Sequence, residues 1–427
     1  MAAVKELLPK RKNVKNFAFV LVCCLFLFNV GVVQGRPSPV KRGCSSRALR
    51  AMARVYMAYG DYTKAQPLAE QALTLAKTKD SSDLQLSLCL IDLAWLYRNQ
   101  GKLADAERMC KLGLKLQEKV YYKGHPYVAY TLRNLSSIYQ EQGKYRQAKP
   151  VLERAMTIMQ KAHSPDDQVI APFQVDIAEL LVAQGNFADA EIYYQSALAL
   201  INNSYGPDHL YTATVLSSIA KLYTLQGRYN KAETLINRAL AIQQKVYGPD
   251  HHLIAPTWLT MARIYKAKED YAQAEKLVQK ALDAVENKQG SEHPLVGKVL
   301  NLLGELYIAD GKFYEAERIC RRAANVLQSS LGEDNDFTAM AFNNLARLYI
   351  HKGNYARANE LCQKALQTLE NVFDRNHPNV AAVLETLVQL HHKAGNLAEA
   401  AKLDQRIEKI RAYRQVAYGP IAMDSKQ

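Results

Sequence analysis

The chain has 427 residues, 48% apolar and 22% charged, a globular composition that excludes a disordered or collagen-like chain. Its 20 Gly and 14 Pro are too few for the turns of a large all-β fold, and seven Cys in this length exclude a small disulfide-stapled scaffold. Fifty-five Lys and Arg against 41 Asp and Glu give a net charge of +14, but the bases are dispersed among acids with no aromatic-interleaved basic run, so no nucleic-acid partner is expected.

Residues 1–16 carry Lys5, Lys10, Arg11, Lys12 and Lys15 against one acid, Glu6, and Phe17–Val33 follows as an uncharged apolar run. A basic segment before an apolar run reads as an export signal. The run ends at Val33-Gln34-Gly35, so cleavage is expected between Gly35 and Arg36. Its 17 residues exceed an ordinary signal core and fall short of the ~20 of a spanning helix. Three readings follow, one of them a buried or interfacial helix. A cleaved signal peptide, residues 1–35, places the protein outside the cytoplasm, periplasmic or secreted. An uncleaved signal anchor tethers it to the membrane through residues 17–33 alone. Loss of residues 1–35 removes five bases and one acid and leaves +10. Arg36-Pro37-Ser38-Pro39 opens an extended linker, residues 36–47, because proline excludes the helical conformation from the residue before it.

The rest is one motif repeated nine times. Gly60, Gly101, Gly143, Gly185, Gly227, Glu269, Gly311, Gly353 and Gly395 are spaced by 41 residues once and by 42 thereafter. Five residues after each stands an Ala, from Ala65 and Ala106 through Ala358 and Ala400. Four residues before each stands Tyr, Leu or His, as at Tyr139 and Tyr349.

Each copy predicts two helices. In the third, Leu132, Leu135, Ile138 and Tyr139 form one helical stripe before the Gly, and Tyr145, Ala148, Val151, Leu152, Ala155 and Met156 form a second after it. The Gly suits a left-handed C-cap between antiparallel helices, so Glu269 is expected to adopt that conformation with strain or to turn differently. The alanine column lets the second helix approach the first closely. Turns such as Gly206-Pro207-Asp208-His209 and Asn376-His377-Pro378 join the copies. Their histidines, His125, His209, His251, His293 and His377, are too far apart to share a metal ion and are expected to cap turns. Cys110, Cys320 and Cys362 share one repeat position, held elsewhere by Leu152 or Val278, and are expected to fill core. Cys44, in the linker, is either a free thiol or half of an intermolecular disulfide.

This pattern resembles the tetratricopeptide repeat in its long, kinesin light chain-like form. The signature stands as Leu345-Ala346-Arg347-Leu348-Tyr349, Gly353-Asn354-Tyr355 and Ala358 through Ala365-Leu366. The resemblance covers residues 48–411, with 412–427 as a C-terminal tail. It implies an all-α, right-handed superhelical solenoid of about nine antiparallel helix pairs, with the first helix of each pair lining the concave surface. A heptad coiled coil of the kinesin light chain kind is missing, so cargo transport is not expected.

On that surface, counted back from the turn position, offsets −9 and −10 include Asp92, Arg133, Asn134, Asp176, Asn301, Asn343 and Asn344, and offset −6 includes Arg54, Trp95, Ser137, Lys221, Arg263 and Arg347. Amides and small hydroxyls can bond the backbone of an extended peptide, and Arg and Lys can hold carboxylates. Bases outnumber acids at offset −6, so acidic partner segments are favoured. No phosphate loop, nucleophile elbow, HExxH or dinucleotide fingerprint is present, and no catalytic residue, metal or cofactor is expected. The function read from the sequence is a non-catalytic scaffold for peptide or protein segments. Its alternatives are a membrane-tethered assembly factor and, more remotely, an enzyme with an unrecognised site.

Overall fold

The computed structural model describes residues 45–58, 61–78, 82–373 and 375–418. The expected signal and its Gly35–Arg36 junction lie outside these residues, as do most of the linker, with Cys44, and the first turn position, Gly60.

Eighteen α-helices and no strand occur among the described residues. They form nine antiparallel pairs: α1 (Ser46–Ala58) with α2 (Tyr62–Ala76), α3 (Asp83–Asn99) with α4 (Leu103–Val120), α5 (Pro126–Glu141) with α6 (Tyr145–Ala162), and α7 (Ala171–Ala183) with α8 (Phe187–Tyr205). There follow α9 (Leu210–Leu225) with α10 (Tyr229–Tyr247), α11 (Ala255–Ala267) with α12 (Tyr271–Gln289), α13 (Pro294–Ala309) with α14 (Phe313–Leu331), α15 (Asp336–His351) with α16 (Tyr355–Val372), and α17 (Pro378–Lys393) with α18 (Leu397–Tyr418). The first described helix starts at Ser46 and the last ends at Tyr418.

The repeat rules explain the elements. All nine column alanines are fully buried, so each second helix packs on its partner through a methyl group. Glu269 adopts the left-handed conformation at φ 63°, the same fold of chain as its glycine counterparts near φ 75°. Of the two expectations for it, the strained one is observed. Cys110, Cys320 and Cys362 are fully buried in the core, which pushes each thiol up to about 12.

All five turn histidines cap helices or 3-10 turns. Nδ1 of His125, His209, His251, His293 and His377 accepts the backbone N–H two residues on, at 3.1–3.3 Å. An aromatic ring four residues earlier stacks on four of them: Tyr121, Tyr205, Tyr247 and Phe373, with centroids 4.3, 4.6, 5.0 and 3.7 Å away.

Successive first helices touch one another along the array, whereas successive second helices make no comparable contact. The first helices therefore lie at the smaller radius and form the inner wall. The curvature brings distant repeats together. His293 Nε2 lies 3.1 Å from the carbonyl of Asn99, Asn335 Nδ2 donates to the carbonyl of Glu141 at 3.4 Å, and His377 Nε2 lies 2.6 Å from the carbonyl of Ala183. Each pair is 194 residues apart and joins the end of one first helix to the N-cap five repeats later. One superhelical turn therefore takes about five repeats and the next turn rests on it. Tyr145 reinforces the seam, stacking on Phe373 at 4.9 Å and donating to Asp336 at 3.3 Å, while Arg146 donates to the carbonyl of Phe373 at 2.8 Å.

Candidate functional site: the inner wall

The inner wall has two kinds of polar position. The first is a rung that ties neighbouring repeats. A residue at offset −10 meets one at offset −9 of the next repeat three times. Arg50 Nε donates to Asp92 at 2.7 Å, Arg133 donates to both oxygens of Asp176 at 2.6 and 3.0 Å, and Asn344 Nδ2 donates to Asn301 Oδ1 at 2.8 Å. Asp92, Asp176, Asn301 and Asn344 are buried. Five of the expected partner-binding residues, Asp92, Arg133, Asp176, Asn301 and Asn344, are therefore engaged in these rungs. The register shows the complementarity of the two offsets, a signal that assigning both to a partner passes over.

Other expected residues also have neighbours within the array. Ser137 Oγ bonds the carbonyl of Arg133 at 3.2 Å, one turn back on its own helix. Trp95 meets Tyr62 edge-on, with ring centroids 6.2 Å apart, and packs at the edge of the core under α2. Arg54 and Asn134 are half-buried on α1 and α5. Asn343 is buried with an Oδ1 that no donor reaches among the described residues.

The second kind is a set of cations without a counter-ion. Lys221 on α9, Arg263 on α11 and Arg347 on α15 form no ion pair among the described residues, and nor does Lys298 on α13, which the column reading missed. Lys298 lies over the ring of Phe337, 3.8 Å from its centroid. Several acids nearby are already held: Glu141 by Arg98 at 2.7 Å, Asp176 by Arg133, and Glu305 by Lys266 at 2.9 Å. Glu179, exposed on α7, and Asp336, buried at the start of α15, have no cationic partner within ion-pair distance among the described residues.

These charges feel one another across the lumen. Enclosure by protein pushes the Lys221 ammonium down from its ordinary value, and Arg263 adds to the shift while Glu179 and Asp336 oppose it. Enclosure also pushes Lys298 down, with Lys221 and Arg98 adding and Glu141 and Asp336 opposing. Enclosure within the superhelix pushes the Glu179 carboxyl up although its side chain reaches solvent in the lumen, and burial pushes the Asp336 carboxyl up. Side chains from the second through the eighth repeats thus share one electrostatic neighbourhood, which requires the superhelix to be closed around them.

The tetratricopeptide repeat family model matches residues 45–119, 96–161, 170–245, 219–287, 253–313, 295–361 and 337–412. No curated protein matches the chain. Among solved structures, a Rap protein complexed with competence and sporulation factor is similar over 86% of this chain and 98% of its own, at 16% identity and a TM-score of 0.63. The apo form of the quorum sensor NprR from B. thuringiensis is similar over 76% of this chain and 87% of its own, at 17% identity and a TM-score of 0.51. A kinesin light chain-like repeat protein from Podosopora anserina covers 48% of this chain and 98% of its own, at 23% identity and a TM-score of 0.37. With the family model spanning nearly all of the described solenoid, the chain belongs to the tetratricopeptide repeat family.

Proposed function

We propose that the protein is a non-catalytic scaffold that holds a peptide or protein segment against its inner wall and favours acidic segments. The observation that carries this reading is the surplus of cations there that no close ion pair holds. Lys221, Arg263, Lys298 and Arg347 form no ion pair among the described residues, and Glu305, the acid that Arg263 and Arg347 act on, is already held by Lys266, whereas Glu179 and Asp336 are the acids of the same neighbourhood without a close cation. An acidic segment would supply the missing charge where low dielectric strengthens the attraction. The likeness to a Rap protein complexed with competence and sporulation factor supports a bound partner as the purpose of the enclosed wall.

The test is fluorescence anisotropy with fluorescein-labelled hexaglutamate against the wild-type protein and against Arg263→Glu with Arg347→Glu. The reading expects the double reversal to weaken binding at least about tenfold. Equal affinity in both proteins would remove the acidic preference and leave the scaffold reading to a neutral partner. We further propose that residues 1–35 direct the solenoid out of the cytoplasm, on the strength of the basic segment before Phe17–Val33. Sequencing of the mature N-terminus decides this: Arg36 first supports release, and an intact N-terminal segment supports a membrane tether.

A further inference from the structure

The seam between superhelical turns is built from three N-cap side chains, two of which titrate. In His293, Nδ1 accepts the N–H of Leu295 at 3.1 Å while Nε2 faces the carbonyl of Asn99. A carbonyl can only accept, so the ring hydrogen sits on Nε2 and the lone pair on Nδ1. His377 does the same between the N–H of Asn379 and the carbonyl of Ala183. Both rings must therefore be neutral. A second proton on Nδ1 would set N–H against N–H at a helix N-terminus, where the dipole already disfavours a cation. The ring would have to rotate, and rotation withdraws Nε2 from the other turn.

The middle position serves as an internal control. Asn335 makes the same two bonds without a titratable group, Oδ1 accepting the N–H of Phe337 at 2.9 Å and Nδ2 donating to the carbonyl of Glu141 at 3.4 Å. His125, His209 and His251 cap in the same way through Nδ1.

We propose that His293 and His377 form an acid-sensitive clasp, and that their protonation opens the superhelix along the seam without unfolding its helices. The charged groups around His293 are Glu141 and Arg98 from the previous turn and Lys298 on its own helix. Beside His377, Arg146 from the previous turn donates to the carbonyl of Phe373, whose ring stacks on the imidazole at 3.7 Å. Burial pushes the His293 imidazole down, opposed by Asn99 and Glu141. The closed form therefore binds the proton less well than the open form. Closure is fully favoured above the ordinary imidazole value near ~6.5 and is lost as pH falls through it towards the lowered value. Asp336, in the same seam, acts with opposite sign: its carboxyl is pushed up, so its protonation favours the closed form. Exchanging the histidines leaves Asp336 untouched, so the difference between the two proteins isolates the imidazoles.

The experiment is small-angle X-ray scattering from about pH 8 to about pH 5, with far-UV circular dichroism on the same samples, for the wild type and for His293→Asn with His377→Asn. The wild type is expected to increase in radius of gyration on acidification with unchanged helicity. The double variant, now carrying asparagine at all three seam positions, is expected to match the wild type at high pH and to stay compact throughout. A wild type of constant radius overturns the proposal, and so does expansion that coincides with loss of helix. A variant that opens with the same pH dependence, or that is already open at high pH, overturns it as well, because Asn335 shows that asparagine can make both bonds.

Discussion

The turn of the second repeat and the turn of the eighth have nearly the same local geometry. Gly101 sits at φ 75° and Gly353 at φ 73°. A methyl group added to Gly353 would meet nothing within 4 Å, whereas one added to Gly101 would lie 2.5 Å from Cδ of Pro294, five repeats away. One turn ends a helix and the other also carries the next superhelical turn. The forty-two-residue register governs what both share. What separates them is closure of the superhelix, which matches surfaces almost two hundred residues apart.

Substitution should magnify that contrast. Gly101→Ala adds left-handed strain to a clash with a proline ring and is expected to cost about 2–4 kcal/mol. Gly353→Ala, with strain alone, is expected to cost about 1 kcal/mol. Urea unfolding of both checks this, and equal losses would mean the seam contributes nothing at Gly101. The inner wall offers the same kind of pair. Asp176→Ala leaves Arg133 without its partner in a partly buried rung and is expected to cost about 1–2 kcal/mol. Glu269→Gly relieves the one left-handed non-glycine residue among those described and is expected to gain about 0.5–1 kcal/mol, read as a higher urea midpoint. Arg263→Gln with Arg347→Gln breaks no close ion pair and is expected to cost under about 1 kcal/mol, because Lys266 still holds the Glu305 carboxylate that both arginines act on; urea unfolding of this neutral pair separates a loss of peptide binding from a loss of fold.

These differences mark how far the sequence could be read. The helix pairs were legible because each depends on contacts within a few dozen residues: the alanine column, the apolar stripes and the capping residues recur at one spacing. Glu269 was legible as an anomaly for the same reason. The inner wall was legible in part. Lys221, Arg263 and Arg347 stand where the column places them, in no ion pair among the described residues. Asp92 and Asp176 stand there too, but their guanidinium partners one repeat earlier hold them, and reading one column at a time does not see a neighbour in the next. Lys298 was missed because it lies off the chosen columns and acquires its neighbours, Glu141 and Arg98, only when the second superhelical turn settles on the first. His293 and His377 read as ordinary caps for that reason. Nothing in a forty-two-residue window shows that they also bear on Asn99 and Ala183.

Closure of the superhelix is therefore the central claim, since it encloses the cations and creates the seam. The most direct measurement is the distance between spin labels at Lys102 and Glu292, both exposed and next to the first seam contact, in a chain whose Cys23, Cys24 and Cys44 are changed to Ser. Double electron–electron resonance near neutral pH should give one short distance, as expected of labels flanking a 3.1 Å hydrogen bond. A separation on the order of 40–50 Å, the span of five helix pairs stacked without closing, would contradict the account.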